Sequence, residues 1–348
     1  MTTTKVVTVV ASNREDGLQK FLRAWIPAPW DELIVVEDGP QRSMAIEDGR
    51  QRPIHHFSWA EITEDPDVID PATFSRRDSA IKMYGFWAAV RAGADVVIAL
   101  DDDCFPSGLP ESFIAAHLAS LSQRTRWVPS IDESPTRRGL PYFDHGTLPG
   151  AVANMGLWQG VADYDAPQTL ALHRSGNLRH SFNPPAGNRL MHPQQYWPFC
   201  AMNIAFRREL APLMYMPKMG EGSPYRRFDD IWCGVILQRC CRHLGLLLAA
   251  GEPHIQHIRA SDALINLEKE APGIRANEDF WKVIEATPLD PAKRATPLTC
   301  AEAVATHLTS ASRNEDRLTR NMTLLGYLAE EGTRMQNWCK MFRNAGWE

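Results

Sequence analysis

The chain has 348 residues, 44% of them hydrophobic and 23% charged, a composition that excludes a disordered or fibrous protein. Its formal net charge is -5, and Lys and Arg form no long run, so no basic face is available for a nucleic-acid partner. An anionic ligand would need local cations or a metal.

Seven cysteines stand at 104, 200, 233, 240, 241, 300 and 339. Their number is odd and no C-x-x-C pair occurs. The expectation is therefore neither a disulfide framework nor a structural zinc site, but a reducing compartment. The start, Met1-Thr2-Thr3-Thr4-Lys5, lacks the apolar stretch of a signal peptide. The longest apolar runs, Val96 to Leu100 and Leu244 to Ala250, are too short to cross a bilayer. A cytoplasmic protein without a transmembrane segment is expected.

In chain order, Val6 to Val10 reads as a β-branched strand closed by the loop signal Ala11-Ser12-Asn13. Asp16 to Trp25 has helical spacing through Leu18, Phe21, Leu22 and Trp25. Leu33 to Val36 is a second strand, ended by Glu37-Asp38-Gly39-Pro40. Ser79 to Ala92 carries Ile81, Tyr84, Trp87 and Val90 on one helical stripe. Val96 to Leu100 is a third strand, running into Asp101-Asp102-Asp103. This alternation predicts an α/β fold with a parallel sheet covered by helices on both faces. Ligands of such sheets sit beyond the carboxyl ends of the strands, where Asp38 and the acidic triplet fall. From about 123 to 200 the chain is rich in Pro, Gly, His and Trp with little periodicity, which predicts a functional irregular stretch. Cys200 to Phe206 and Gly245 to Ala250 return to short apolar runs. From Leu318, the spacing of Met322, Leu325, Leu328, Met335, Trp338 and Phe342 predicts an amphipathic helix or helix pair.

The acidic triplet is the sharpest chemical signal. Alternate side chains of an extended segment share a face, so Asp101 and Asp103 can converge while Asp102 points elsewhere. Carboxylates directly after a buried strand are costly unless solvated or paired with a cation. Mg²⁺ or Mn²⁺ takes such oxygen ligands and bridges them to phosphates. The competing reading is an acidic turn with no ligand. His254 and His257 face opposite ways in an extended segment, so they are not expected to share one ion, and one of the two is a candidate to complete the metal set. Arg259, on the same face as His257, suits a phosphate.

Arg227-Phe228-Asp229-Asp230 follows a Gly220-Glu221-Gly222 turn. Asp229 and Asp230 suit orienting or deprotonating a sugar hydroxyl. The plainer alternative is a helix start with Asp229 as its cap. Arg77 and Asp78 precede a helix, where an anion fits the N-terminus; a simple Asp78 cap is the alternative. Trp158, near Asp163-Tyr164-Asp165, can stack on a sugar face or belong to the core.

These residues together resemble the reversibly glycosylated polypeptides, the family that includes the UDP-arabinopyranose mutases of cell-wall sugar metabolism. The resemblance rests on Ile34 to Gly39, Asp78-Ser79-Ala80, and Ile98 to Phe105 with its D-x-D. It continues through Arg138-Gly139-Leu140-Pro141, Gly156-Leu157-Trp158, Asp163 to Pro167, Met202-Asn203, Arg227 to Trp232, His257, Asn266 to Glu270 and Trp338. It implies a GT-A-like, Rossmann-like nucleotide-sugar-binding fold over 1–280 with a helical C-terminal appendage over 281–348. It implies Mn²⁺ or Mg²⁺, no flavin, and a UDP-sugar substrate whose pyranose and furanose forms interconvert. It also implies homo- or hetero-oligomers. On this resemblance Asp101, Asp103 and His257 are metal ligands. Asp38, Arg77, Asp78, Asp102, Trp158, Asn203, Arg227 and Arg259 bind substrate. Arg138, Asp229 and Asp230 are catalytic, the glycosylated arginine mapping to Arg138 with Arg137 as an ambiguous neighbour. Two departures stand out: no second arginine follows in Pro141 to His145, and Met155 replaces a histidine before Gly156-Leu157-Trp158.

Overall fold

The computed structural model describes residues 4–46, 49, 52–122, 150–174, 186–258, 262–290, 295–311 and 319–348. Arg138, with its whole Arg-Gly-Leu-Pro segment, and Arg259 lie outside the described residues. The first part alternates strand and helix: β1 (Val6–Ser12), α1 (Glu15–Ala24), β2 (Glu32–Glu37), β3 (Ile54–Phe57), α2 (Trp59–Glu64), α3 (Lys82–Arg91) and β4 (Val96–Asp101). The strands run parallel in the order β3-β2-β1-β4, Val9 lying opposite Ile34 on one side and Ala99 on the other. Continuous Val and Ile runs suit them because both faces are covered. Val6, Val10, Leu33, Val35, Ile98 and Leu100 pack toward α1; Val7, Val9, Ile34, Val36, Val97 and Ala99 pack toward α3. At Gly85, α3 crosses β1 so closely that a Cβ would stand 2.3 Å from Val9 Cγ1.

After β5 (Cys104–Pro106) and α4 (Pro110–Ser122), the chain adds β6 (Ala153–Gly160), α5 (Ala166–Arg174), β7 (Arg189–Leu190), β8 (Asn203–Arg207), α6 (Asp229–Leu244) and β9 (Leu248–His257). β8 is antiparallel to β4 and to β6, and β9 is parallel to β6. β1, β2, β4, β6 and β9 therefore end on one edge of the sheet, and β8 begins there. This mixed sheet, ordered β3-β2-β1-β4-β8-β6-β9-β5, extends the expected parallel set and has a GT-A-like, Rossmann-like arrangement.

Two features differ from the expectation, and the tail takes one of its two expected forms. The stretch 123–200 is not all irregular, since β6 and α5 lie in it; a sheet ladder supplies order that sequence periodicity does not advertise. Gly245 (φ 67°) is the left-handed residue that ends α6, so the following strand starts only at Leu248. The tail is a single helix, α9 (Met322–Asn344).

Ala263–Glu285 (α7), Pro297–Thr309 (α8) and α9 close the α3 face. Trp338 donates its Nε1–H to the Pro212 carbonyl at 3.0 Å, and Phe342 meets Trp87 edge-on at 5.2 Å. The C-terminal helices thus share one core with the sheet. Among the described residues, no helix is long and apolar enough to cross a membrane.

Candidate active site

The acidic triplet leaves β4 at the edge where the parallel strands end, and its carboxylates meet different sets of partners. Asp101 pairs with the ammonium of Lys82, which also donates to the Ala201 carbonyl at 3.0 Å. Lys82 opens α3 and is buried. Burial opposes its charge, but Asp101 outweighs that and raises its pKa. Asp102 turns inward, accepting from Ser12 Oγ at 2.6 Å and from Arg14. Ser12 ends β1, and its carbonyl takes the Asp38 N–H at 2.8 Å, tying the ends of three strands together. Asp103 lies 3.4 Å from Arg14 Nη2, and its Oδ1 is 3.9 Å from His257 Nε2. The β5–β9 ladder makes this approach possible, pairing Cys104 with His257. His257 Nδ1 is 2.8 Å from the Val161 carbonyl, which makes Nδ1 the protonated nitrogen and leaves Nε2 its lone pair.

A second group surrounds Asp38 and Asp78. Asp38 accepts from the Arg77 N–H and from Trp59 Nε1, each at 2.9 Å. Arg76 lies over the Trp59 ring at 5.0 Å. Arg77 takes a left-handed φ of 61° to present its amide, and its side chain reaches Glu221 at 3.2 Å. Asp78 caps the 3-10 turn Ser79–Ile81 and also accepts from Ser75 Oγ (2.6 Å) and the Met219 N–H (2.9 Å). Gly220 permits this packing, since a Cβ there would stand 1.9 Å from the Arg76 carbonyl. Burial, then the charge of Asp229, pushes the Asp78 carboxyl up to about 8. It therefore holds a proton at neutral pH.

Asp229 and Asp230 are the first residues of α6, with Phe228 in the cap position. Asp229 is enclosed and accepts from Ser79 Oγ at 2.6 Å. Asp230 is only half-buried; its Oδ2 accepts the Ala201 N–H at 2.9 Å. Burial, then Asp229 and Asp163, raise its pKa well above the ordinary carboxylate range. Beside it, Cys200 Sγ donates to Asp163 at 2.8 Å, and burial keeps that thiol protonated. Met155, one of the departures from the family pattern, meets the Cys200 N–H through its sulfur at 3.4 Å. Arg227, with φ 64°, binds Glu270 at 2.7 Å, and Glu270 also takes the Ala166 N–H.

Trp158 is half-buried on β6 and packs on the α1-side core. Asn203 is fully enclosed. Its amide donates to the Leu157 and Pro253 carbonyls (3.1 and 2.9 Å), and its Oδ1 meets His117 Nε2 at 3.0 Å. His117 continues to Asn154 Nδ2, and burial lowers its pKa to about 3, so it is a neutral member of a structural relay. Sequence reasoning missed Ser12, Arg14, Lys82 and Cys200. A lone Lys at a helix start or Ser in a loop carries no periodic or motif signal. Among the described residues, no group of three or more His, Cys, Asp or Glu side chains is gathered closely enough to hold a metal ion by itself. In the smaller set of Asp103 and His257, the carboxylate fits the oxygen preference of Mn²⁺ or Mg²⁺, while the imidazole nitrogen suits the softer Mn²⁺ better than Mg²⁺.

A family model described as "Reversibly glycosylated polypeptide" matches residues 2–346. The chain belongs to that family. It is 31% identical over 287 residues to UDP-arabinopyranose mutase 1 of Arabidopsis thaliana, spanning 77% of this chain and 76% of the relative. It is 32% identical over 277 residues to probable UDP-arabinopyranose mutase 4 of the same plant, spanning 75% and 72%. Probable UDP-arabinopyranose mutase 2 of Solanum tuberosum is 29% identical over 336 residues, 91% of this chain and 85% of the relative.

Proposed function

We propose that the protein is a UDP-sugar mutase that interconverts the pyranose and furanose forms of a UDP-pentose such as UDP-L-arabinose. The observation that carries this reading is the match to mutases along most of both chains, joined to two carboxylate groups that meet at one sheet edge. Asp38 and Arg77 suit the nucleoside, because they lie beyond the carboxyl end of β2, where ligands of such sheets bind. Asp103 and His257 would hold a divalent cation; Asp101, the third ligand that the sequence suggests, is paired with Lys82. When bound, the cation would stabilise charge on the departing diphosphate.

The remaining steps fall to side chains. The bond between the anomeric carbon and the diphosphate breaks, and UDP leaves with the electron pair. Another hydroxyl of the same sugar bonds to the anomeric carbon, and Asp230 takes its proton. UDP then returns to the anomeric carbon, and the released ring oxygen takes the proton back from Asp230. Half-burial and a raised pKa suit Asp230 to both transfers. Arg138 would stand by the anomeric carbon, as diphosphate clamp or as transient sugar acceptor. The acceptor role is reversible self-glycosylation.

Incubation with UDP-arabinopyranose and Mn²⁺, followed by chromatography, tests the reading. The expected result is an equilibrium of pyranose and furanose forms without any added acceptor. Turnover only with an acceptor would make the protein a glycosyltransferase. Binding without turnover would make it a carrier or scaffold subunit.

A further inference from the structure

Lys82 is the one lysine among the described residues whose side chain is buried in the core, at 1% exposure. It lies outside the D-x-D, the paired aspartates of α6 and the Arg138 segment. Its ammonium makes two contacts that no single motif explains. One is to Asp101, whose side chain is 33% exposed. The other is to the carbonyl of Ala201, at 3.0 Å. The N–H of the same Ala201 donates to Asp230 Oδ2 at 2.9 Å. One residue of the loop before β8 therefore links a buried cation to a carboxylate of α6, while that cation grips a carboxylate of β4.

We propose that Lys82 is a positioning residue that locks Asp101 and, through Ala201, Asp230 into one rigid unit, fixing the diphosphate end of the site relative to the sugar end. The inference rests on the mutase reading above. Its physical basis is that a buried ammonium must keep its partners, because leaving it unpaired costs far more than any alternative rotamer gains. Asp101 and Asp230 belong to different elements, β4 and α6, with no backbone ladder between them. The Lys82 ammonium and the two polar groups of Ala201 provide that connection. Lys82 does not itself need to touch substrate, since Asp101 stands between it and the cleft.

The test uses the full chain. In Lys82→Met, kcat should fall on the order of 100-fold while the UDP dissociation constant, read by calorimetry, changes less than ~10-fold. Loss of registration between two intact ends gives that split. A parent-like kcat overturns the proposal. So does an equal fall of kcat and UDP affinity, which would mark Lys82 as a binding or core residue. If Lys82→Met is too unstable to purify, Lys82→Gln is read in the same way. A second readout does not need turnover. In urea unfolding, Asp101→Asn and Asp230→Asn should be coupled in the parent, the double variant shifting the midpoint by less than the two single shifts added. In a Lys82→Met or Lys82→Gln background the shifts should become additive. Additive shifts in the parent overturn the proposal. A parent that converts no UDP-sugar defeats the mutase reading alone, and the unfolding cycle still decides the role of Lys82.

Discussion

Asp103 and His257 face each other across the β5–β9 ladder, Oδ1 and Nε2 3.9 Å apart, while the imidazole's other nitrogen is held by the Val161 carbonyl. The pair is preset in tautomer and ring orientation. We expect His257→Ala to weaken Mn²⁺ binding at least ~10-fold, read by electron paramagnetic resonance of free Mn²⁺. Calorimetry of UDP with and without Mn²⁺ should show metal-enhanced binding that Asp103→Ala abolishes. Equal UDP affinity after full chelation would rule the metal out.

The Asp78 carboxyl gives a pH dependence whose sign follows from its shift. Its folded-state pKa is raised from 3.8 to about 8, so the folded protein holds a proton that the unfolded chain releases. That contribution to stability is complete below the unfolded pKa and is lost as pH rises through about 8. Burial raises Asp229 and Asp230 in the same direction. The urea midpoint should therefore drop between about pH 5 and about pH 9, and Asp78→Asn should flatten the drop. An unchanged slope in Asp78→Asn would show that Asp78 does not hold the proton.

Gly156 separates β6 from the Asn203 relay. A Cβ there would stand 2.1 Å from Asn203 Nδ2 and 2.3 Å from the Pro253 carbonyl. Gly156→Ala should cost at least ~1–3 kcal/mol in chemical denaturation, because neither neighbour is free to move. Asn203→Leu should cost a similar amount by stranding the His117 imidazole and two carbonyls. A parent-like Asn203→Leu with impaired substrate binding would instead return Asn203 to the ligand.

Arg138 is tested by conservative replacement. A guanidinium binds phosphate in a two-pronged way that an ammonium cannot reproduce. Arg138→Lys should keep UDP affinity within ~10-fold and lose turnover by a factor on the order of 100 or more. Arg137→Lys should remain near the parent. A pentose adduct on the parent but not on Arg138→Lys, seen by intact mass, would assign the acceptor role. Parent-like turnover in Arg138→Ala would retire both roles.

What the amino-acid sequence determined by itself is local. Unbroken Val and Ile runs specify buried strands, and Asp101-Asp102-Asp103 after one of them marks the edge that carries the candidate site. Even the opposite facing of His254 and His257 follows from the two-residue period of a strand and is seen in the alternating burial of β9. The partners of those residues come from far along the chain and carry no local signal. Lys82 reaches Asp101 and Ala201, Arg14 reaches Asp102, and Ser79 reaches Asp229, 150 positions away. The same holds for the division of labour within the triplet and between the α6 aspartates. Asp102 turns inward and Asp230 stays half-open because the ends of β1 and α6 surround them differently, and burial, not residue type, raises the Asp230 pKa.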